Sequence, residues 1–196
     1  MKIISFEGCV GAGKTSLTNY FSYEFGLEKI LEKFEVNPFL KEFYGGTDVN
    51  LETETTFLLI HYSQLKEAIQ NSNSSTIISD FSIEKDLVYA KMNLKEEEHK
   101  IFLGIYNHII EQIGVPDTVI YLDISLKVLK RRIFQRGRYY EINADPNYFK
   151  RYFEEVKGYF QNETRSKVYF FNVDDLVLEP EDQEIEEIRE KILEAI

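Results

Sequence analysis

A glycine-rich loop near the start of the chain constrains its fold more than any other feature. Residues 8–15 read G-C-V-G-A-G-K-T and match the pattern G-x-x-x-x-G-K-[ST]. The apolar run 3–6 comes directly before the loop, and apolar residues at helical spacing follow it as far as Gly26. Strand, glycine loop and helix in this order form an anion site, because backbone N–H groups and the helix N-terminus point at one position. The chain is therefore predicted to bind phosphate groups here.

The loop also predicts separate roles for its polar side chains. Lys14 is expected to place its charge on the outer phosphates, and Thr15 to offer its hydroxyl to Mg²⁺. The glycines allow the backbone to turn around a phosphate without a Cβ clash. The loop residues predicted to contact the nucleotide are Gly8, Val10, Gly11, Ala12, Gly13, Lys14, Thr15 and Ser16.

Composition limits the class of protein and the kind of partner. The 196 residues are 43% hydrophobic and 29% charged, which is usual for a globular domain, and we expect a single domain over residues 1–196. The net charge of −11 argues against a nucleic acid polymer as a partner, because such binding depends on Lys and Arg. One cysteine, no membrane-length apolar stretch and no evident targeting segment lead us to expect a cytoplasmic protein that binds no membrane.

Strand-like and helix-like segments alternate along the chain. The apolar strand-like runs are residues 3–6, 29–31, 76–79, 118–122 and 168–171. The helix-length segments are 14–25, 53–70, 84–91, 96–112, 126–136, 147–161 and 181–194. Alternation of this kind predicts an α/β fold with a five-stranded parallel sheet covered by helices on both faces. Ligands bind beyond the carboxyl ends of such strands, so the residues that follow each strand are the candidates for a site.

Three of the predicted strands end in a carboxylate. Glu32 follows the second strand, Asp80 the third and Asp123 the fourth. Phosphoryl transfer to a hydroxyl needs an acceptor for the proton and a carboxylate near the metal, and Glu32 and Asp80 are the candidates for these roles. Asp123 is instead expected to cap the following helix.

An arginine-rich segment follows the fourth strand. Arg132 and Arg136 are four residues apart and lie on one helical face ahead of Gly137. Two guanidinium groups on one face can clamp a phosphoryl group as its charge redistributes. We expect a lid over about residues 132–146 that excludes water when it closes.

With these features in place, the chain resembles the deoxynucleoside kinase family, in particular its bacterial deoxyadenosine/deoxyguanosine kinases. The loop shares its pattern with many nucleotide-binding proteins, whereas N-P-F-L and R-G-R-x-x-E are more specific to the family. The matching segments, in chain order, are G-C-V-G-A-G-K-T, residues 31–44, residues 78–91, residues 116–122 and residues 131–141. The resemblance implies a three-layer P-loop NTPase fold and transfer of the γ-phosphoryl group of ATP, with Mg²⁺, to the 5′-hydroxyl of a deoxynucleoside. It also implies a homodimer.

The resemblance assigns roles to individual residues of this chain. Glu32 matches the general base and Asp80 the acid near the metal. Tyr44 and Glu141 match the pair on the sugar 3′-hydroxyl, and Asp86 an acid that helps to read the base. The lid arginines on the phosphates are Arg132, Arg136 and Arg138, and the loop containing Asp174 and Asp175 holds the adenine of ATP.

Two positions depart from the family pattern. Phe81 stands on the substrate side where the family has an arginine that orients the catalytic glutamate. Glu54 is placed where the family has a glutamine on the nucleobase edge, with His61 one helical face further on. An ionised glutamate only accepts hydrogen bonds, so Glu54 would favour the donor-rich edge of guanine. His61 itself and Gln64 are expected to be ordinary residues at the core edge or in solvent.

Other functions remain open at this stage. A nucleoside monophosphate kinase resembling thymidylate kinase would need more cations on its substrate side than the chain offers around Phe81. A GTP-binding switch would need an N-K-x-D motif, which the sequence lacks. A weakened relative with a nucleotide-binding regulatory role is the third alternative, and Phe81 is the residue that motivates it.

Overall fold

The computed structural model describes residues 1–137 and 146–196. Its centre is a sheet of five parallel strands in the order β2-β3-β1-β4-β5. The strands are β1 (Lys2–Gly8), β2 (Glu28–Ile30), β3 (Thr76–Ser79), β4 (Thr118–Asp123) and β5 (Lys167–Asn172). Because all strands run the same way, their carboxyl ends lie along one edge of the sheet.

Helices connect the strands and cover the sheet. Those of the first half are α1 (Lys14–Phe25), α2 (Leu40–Tyr44), α3 (Asn50–Asn71), α4 (Lys85–Asn93) and α5 (Glu96–Ile113). Those of the second half are α6 (Leu126–Arg136), α7 (Pro146–Asn162) and α8 (Gln183–Ala195). A short 3₁₀ turn, Phe34–Val36, follows β2.

The predicted α/β sheet is confirmed. All five strands and all seven predicted helices are present, with ends shifted by at most three residues. The predicted glycine break after Arg136 is also confirmed, since Gly137 ends α6 in the left-handed conformation at φ 70°. The short helix α2 and the turn before it were not predicted, because segments this short carry too little periodic signal.

Two apolar layers hold the sheet. On one face, Phe6 of β1 stacks on Phe21 of α1. On the opposite face, Tyr121 of β4 packs against Phe160 of α7, and β3 packs against α3 and α5 with Phe81 and Phe102 fully buried. Among the helices that the structure describes, none combines the length and apolarity needed to cross a bilayer.

Candidate active site

The glycine loop lies between β1 and α1, as its pattern predicts. Gly8 has a φ of 136°, and a Cβ atom on it would lie 2.5 Å from the carbonyl oxygen of Leu122, so only glycine fits there. The ammonium of Lys14 donates to the carbonyl oxygens of Gly8 at 2.8 Å and Cys9 at 3.2 Å. Burial holds the pKa of Lys14 below its ordinary value, against the attraction of Glu7. Cys9 is buried, and burial raises the pKa of its thiol to about 12, so it fills space.

A cavity of about 720 Å³ opens beside the loop at the carboxyl edge of the sheet. The loop residues on its wall are Val10, Gly11, Gly13, Lys14, Thr15 and Ser16. The strand-end and helical residues on its wall include Glu32, Tyr44, Glu54, His61, Asp80, Lys85, Asp86, Arg132 and Arg136. One cavity therefore joins the predicted phosphate loop to the predicted acceptor residues.

Asp80 connects the loop to the end of β2. Its Oδ2 atom accepts a hydrogen bond of 2.5 Å from the hydroxyl of Thr15. Its Oδ1 atom accepts one of 2.7 Å from the backbone N–H of Glu32. The two oxygens predicted to hold a metal thus lie together, next to the predicted proton acceptor.

Glu32 lies among buried cations. Its Oε1 atom is 2.7 Å from Nζ of Lys85 and accepts a hydrogen bond of 3.1 Å from Nε2 of His61. Burial alone would raise the pKa of Glu32, but Lys85 and His61 together hold it well below its ordinary value. The carboxylate is therefore ionised at neutral pH.

His61 is a central residue of the site, and the expectation that it is an ordinary helix residue is wrong. It is completely buried, and its Nδ1 atom lies 2.8 Å from Oδ2 of Asp86. Burial alone would lower the pKa of His61, but the charge of Asp86 and the hydrogen bonds to Asp86 and Glu32 raise it to about 9. A protonated imidazole therefore donates to both carboxylates.

Gln64 also differs from its expected place at the core edge or in solvent. It is largely buried, and its amide donates to the carbonyl of Leu31 at 2.7 Å. Its side-chain oxygen accepts from the backbone N–H of Lys33 at 3.3 Å. The two bonds flank Glu32 in sequence, so α3 holds the backbone that carries the carboxylate.

Glu54 lines the same cavity and is almost wholly buried. Only 3% of the residue is exposed, and its Oε1 atom accepts a hydrogen bond of 2.8 Å from the amide of Asn93. Burial raises the pKa of Glu54 to about 8, although the Asn93 bond acts in the opposite direction. The sequence predicts an acceptor-only, ionised glutamate, whereas a carboxyl group with a raised pKa keeps its proton to higher pH and in that form donates as well as accepts, as a glutamine does.

Arg132 and Arg136, predicted as lid arginines, lie on α6, and Arg132 contacts the glycine loop. Its guanidinium donates to the carbonyls of Gly11 and Ala12 in the glycine loop and to Val173 after β5. Arg136 lies on the cavity wall with its guanidinium carbon 6.0 Å from the centre of the Phe34 ring. Arg138 and Glu141, with most of the predicted lid, lie outside the described residues.

Three further predicted residues have different surroundings from those expected. Phe81 is fully buried and is not among the residues that line the cavity. The centre of its ring lies 4.5 Å from the centre of the His61 ring. Phe81 is therefore not placed to contact a substrate directly. Asp174 accepts the backbone N–H of Ser125 at 2.7 Å, at the start of α6 and outside the cavity wall. Asp123 does not cap that helix: Ser125 does, and Asp123 pairs with Lys157 at 2.7 Å.

Sequence reasoning missed Lys85 and Glu7. Glu7 is fully buried in β1 and accepts the backbone N–H groups of Gly8 and Ser82. The signal for Lys85 was the run Glu84-Lys85-Asp86, three consecutive charges that follow β3 after residues 80–83. All three are at most 5% exposed, so the fold pairs them internally. Glu84, for example, accepts from the hydroxyls of Thr164 and Ser166.

The relatives of the chain agree with this geometry. A family model described as deoxynucleoside kinase matches residues 4–196. A deoxyguanosine kinase of Bacillus subtilis is 32% identical over 148 residues, which cover 74% of this chain and 72% of that protein. A deoxyadenosine kinase of Lactobacillus acidophilus is 30% identical over 213 residues, covering 99% of this chain and 98% of the relative.

Solved structures give the same result. A deoxyadenosine kinase from M. mycoides with bound dATP superposes with a TM-score of 0.81 at 25% identity, covering 97% of this chain and 99% of the other. The same kinase with dCMP and dCDP bound gives a TM-score of 0.80 at 26% identity, covering 98% and 99%. The chain belongs to the deoxynucleoside kinase family and is a phosphotransferase.

Proposed function

We propose that the chain transfers the γ-phosphoryl group of ATP to the 5′-hydroxyl of a purine deoxynucleoside, giving the monophosphate and ADP. The observation that carries this proposal is the double hydrogen bond of Asp80. It joins the hydroxyl of Thr15, in the phosphate loop, to the backbone of Glu32, the proton acceptor, within one cavity. The names of the relatives, deoxyguanosine and deoxyadenosine kinases, support a purine acceptor.

The phosphates of ATP belong at the glycine loop. Lys14 would exchange its contacts with the carbonyls of Gly8 and Cys9 for the outer phosphates, which supply a stronger counter-charge. Arg132 and Arg136 line the same cavity and would contact the phosphoryl group during transfer. We assign the adenine to the neighbourhood of Asp174, which Arg132 ties to the glycine loop.

A Mg²⁺ ion suits the oxygens at Thr15 and Asp80. A hydroxyl and a carboxylate only 2.5 Å apart are the hard donors that this ion prefers. When bound, Mg²⁺ neutralises charge that develops on the phosphates.

The acceptor hydroxyl belongs beside Glu32. The ionised carboxylate accepts its hydrogen bond and orients the oxygen toward the γ-phosphorus. The new bond between the 5′-oxygen and phosphorus forms as the bond to the bridging oxygen of ADP breaks, and the hydroxyl proton passes to Glu32. In a loose transition state the proton leaves late, so a carboxylate of low basicity still suffices. We further propose that Tyr44, Glu54, Asp86, Arg138 and Glu141 bind the nucleoside.

A monophosphate acceptor is disfavoured by the balance of charges near Glu32. In the described part of the chain, Lys85 and His61 are the cations in contact with Glu32, and each is paired with a carboxylate, Glu32 or Asp86. A phosphate-bearing acceptor would find these cations already neutralised, whereas a neutral hydroxyl needs no additional charge.

The decisive experiment measures ADP formation from ATP and Mg²⁺ with deoxyguanosine, deoxyadenosine, deoxycytidine and the corresponding monophosphates. We expect purine deoxynucleosides to have the highest kcat/KM, and Glu32→Gln to lower kcat by about 10²-fold or more. Faster turnover of a monophosphate than of its nucleoside would reject the proposal, as would activity unchanged in Glu32→Gln.

The family resemblance also supports a homodimer and a cytoplasmic location, and both form part of the proposal. Light scattering coupled to size exclusion tests the first, and fractionation of the producing cell the second. A monomer at micromolar concentration would contradict the expected assembly.

A further inference from the structure

Lys85 is a buried cation in contact with Glu32, the proposed proton acceptor. Its side chain is 7% exposed and that of Glu32 is 20% exposed, with 2.7 Å between Nζ and Oε1. Lys85 is also the first residue of α4, whose start is held by the bonds of Glu84 to Thr164 and Ser166. The ammonium is thus attached to a fixed point of the fold.

We infer that Lys85 is the positioning residue that orients the Glu32 carboxylate toward the acceptor hydroxyl. This inference rests on the proposed function. Lys85 performs from the first turn of α4 what an arginine at position 81 would otherwise perform from the end of β3. Phe81 occupies that position with a ring that offers no donor.

The Phe81 ring packs next to both cations that contact Glu32. Its ring stacks on His61 at 4.5 Å, and Nζ of Lys85 lies 5.7 Å from its centre. A cation at this distance from an aromatic face is attracted to it. The fully buried phenylalanine therefore helps to hold both His61 and Lys85 in contact with Glu32.

Both cations contact the same oxygen. The hydrogen bonds from Lys85 and His61 fall on Oε1 of Glu32. No described residue donates a hydrogen bond to Oε2 of Glu32, so this oxygen can accept the hydroxyl of the nucleoside. Two donors on one oxygen fix the rotation of the carboxylate, which is a requirement for aligned attack.

Other charged groups act on this pair. Asp80 accepts the backbone N–H of Glu32, and Glu32 and Lys14 attract each other by their charges. Glu7 and Asp86 act on Lys85 from β1 and α4. Without Lys85, His61 would be the remaining cation in contact with the Glu32 carboxylate among the described residues.

The test compares Lys85→Met with Lys91→Met, which removes an exposed lysine of the same helix. We expect Lys85→Met to lower kcat by about 10²-fold with an unchanged KM for ATP. Lys85→Arg, which keeps the charge and the hydrogen-bond donors, should recover most of kcat. A kcat in Lys85→Met that equals the wild type would overturn the inference, as would equal effects of Lys91→Met or no recovery in Lys85→Arg.

A second measurement uses the wild-type protein and does not depend on the folding of any variant. A crystal structure of the wild-type protein should place Nζ of Lys85 within hydrogen-bond distance of Oε1 of Glu32. A Lys85 side chain turned away from Glu32 would overturn the inference. Failure of the proposed function is separable, because a wild-type protein without nucleoside-dependent ADP formation can still show this contact.

Discussion

Nδ1 of His61 lies 2.8 Å from Oδ2 of Asp86 in a part of the core where the imidazole has no exposed surface. A buried ion pair of this kind stabilises the fold only while both partners are charged. The pair also leaves Nε2–H of His61 free to donate to Glu32. The stability of the protein and the orientation of its proposed proton acceptor therefore depend on the same proton.

The first prediction concerns stability against pH. The pKa of His61 is raised to about 9 in the folded chain, above its ordinary 6.5, so its contribution is complete below pH 6.5 and lost between pH 6.5 and 9. We expect the loss of the His61 charge to lower the free energy of unfolding by about 3 kcal/mol over this pH interval. Urea unfolding at a series of pH values measures this change. In His61→Gln the free energy of unfolding should depend less on pH.

Glu54 also makes the free energy of unfolding fall as the pH rises, so its contribution must be measured separately from that of His61. Its pKa is raised to about 8, so the folded chain keeps a proton that the unfolded chain loses above pH 4.5, and stability falls between pH 4.5 and 8. The variant Glu54→Gln should remove this part alone. An equal slope in the wild type and in His61→Gln would mean that His61 is neutral in the fold.

The second prediction concerns the choice of nucleobase. Neutral Glu54 donates and accepts, so it suits either purine, whereas ionised Glu54 can only accept and suits the N1–H and amino group of guanine. We therefore expect the ratio of kcat/KM for deoxyguanosine over deoxyadenosine to rise as the pH passes about 8. Glu54→Gln should make the ratio independent of pH, and a ratio that stays flat in the wild type would refute this role of Glu54.

The third prediction concerns metal dependence. Asp80→Asn keeps an oxygen for the backbone N–H of Glu32 but replaces a metal-binding oxygen by an amide group. We expect kcat to fall by about 10²-fold and the Mg²⁺ concentration for half-maximal activity to rise. Asp123→Asn, an acid at the end of β4 paired with Lys157, is the matched control and should leave the Mg²⁺ dependence unchanged. Similar Mg²⁺ curves for both variants would exclude Asp80 as a ligand.

The fourth prediction compares two glycines. Gly8→Ala places a Cβ atom 2.5 Å from a backbone oxygen at a φ of 136°, and should cost more than about 1 kcal/mol of stability together with ATP affinity. Gly104→Ala, within helix α5 and with no atom within 4 Å of the new Cβ, should stabilise by about 0.5–1 kcal/mol. Thermal unfolding and ATP titration distinguish them, and a Gly8→Ala protein as stable as the wild type would contradict the geometry of the loop.

Sequence reasoning succeeded at most features whose physics is local, although it chose Asp123 instead of Ser125 as the cap of α6. The glycine loop, the five strands and Glu32 beside Asp80 follow from periodicity, from glycine conformation and from the rule that parallel strands share one carboxyl edge. It failed at His61, which is predicted to lie at the core edge or in solvent, and at Lys85, which it overlooks. Neither local segment shows that the fold buries these side chains and pairs them with carboxylates.

The sequence by itself thus determines the architecture and the location of the site, because both depend on short-range patterns. Only the tertiary structure decides the charge states and the pairing of the side chains within that site. Helices α3 and α4 bring His61 and Lys85, which are 24 residues apart in the printed sequence, onto one oxygen of Glu32. Burial then sets the proton occupancy of each group, and burial is a property of the packed fold rather than of any local segment.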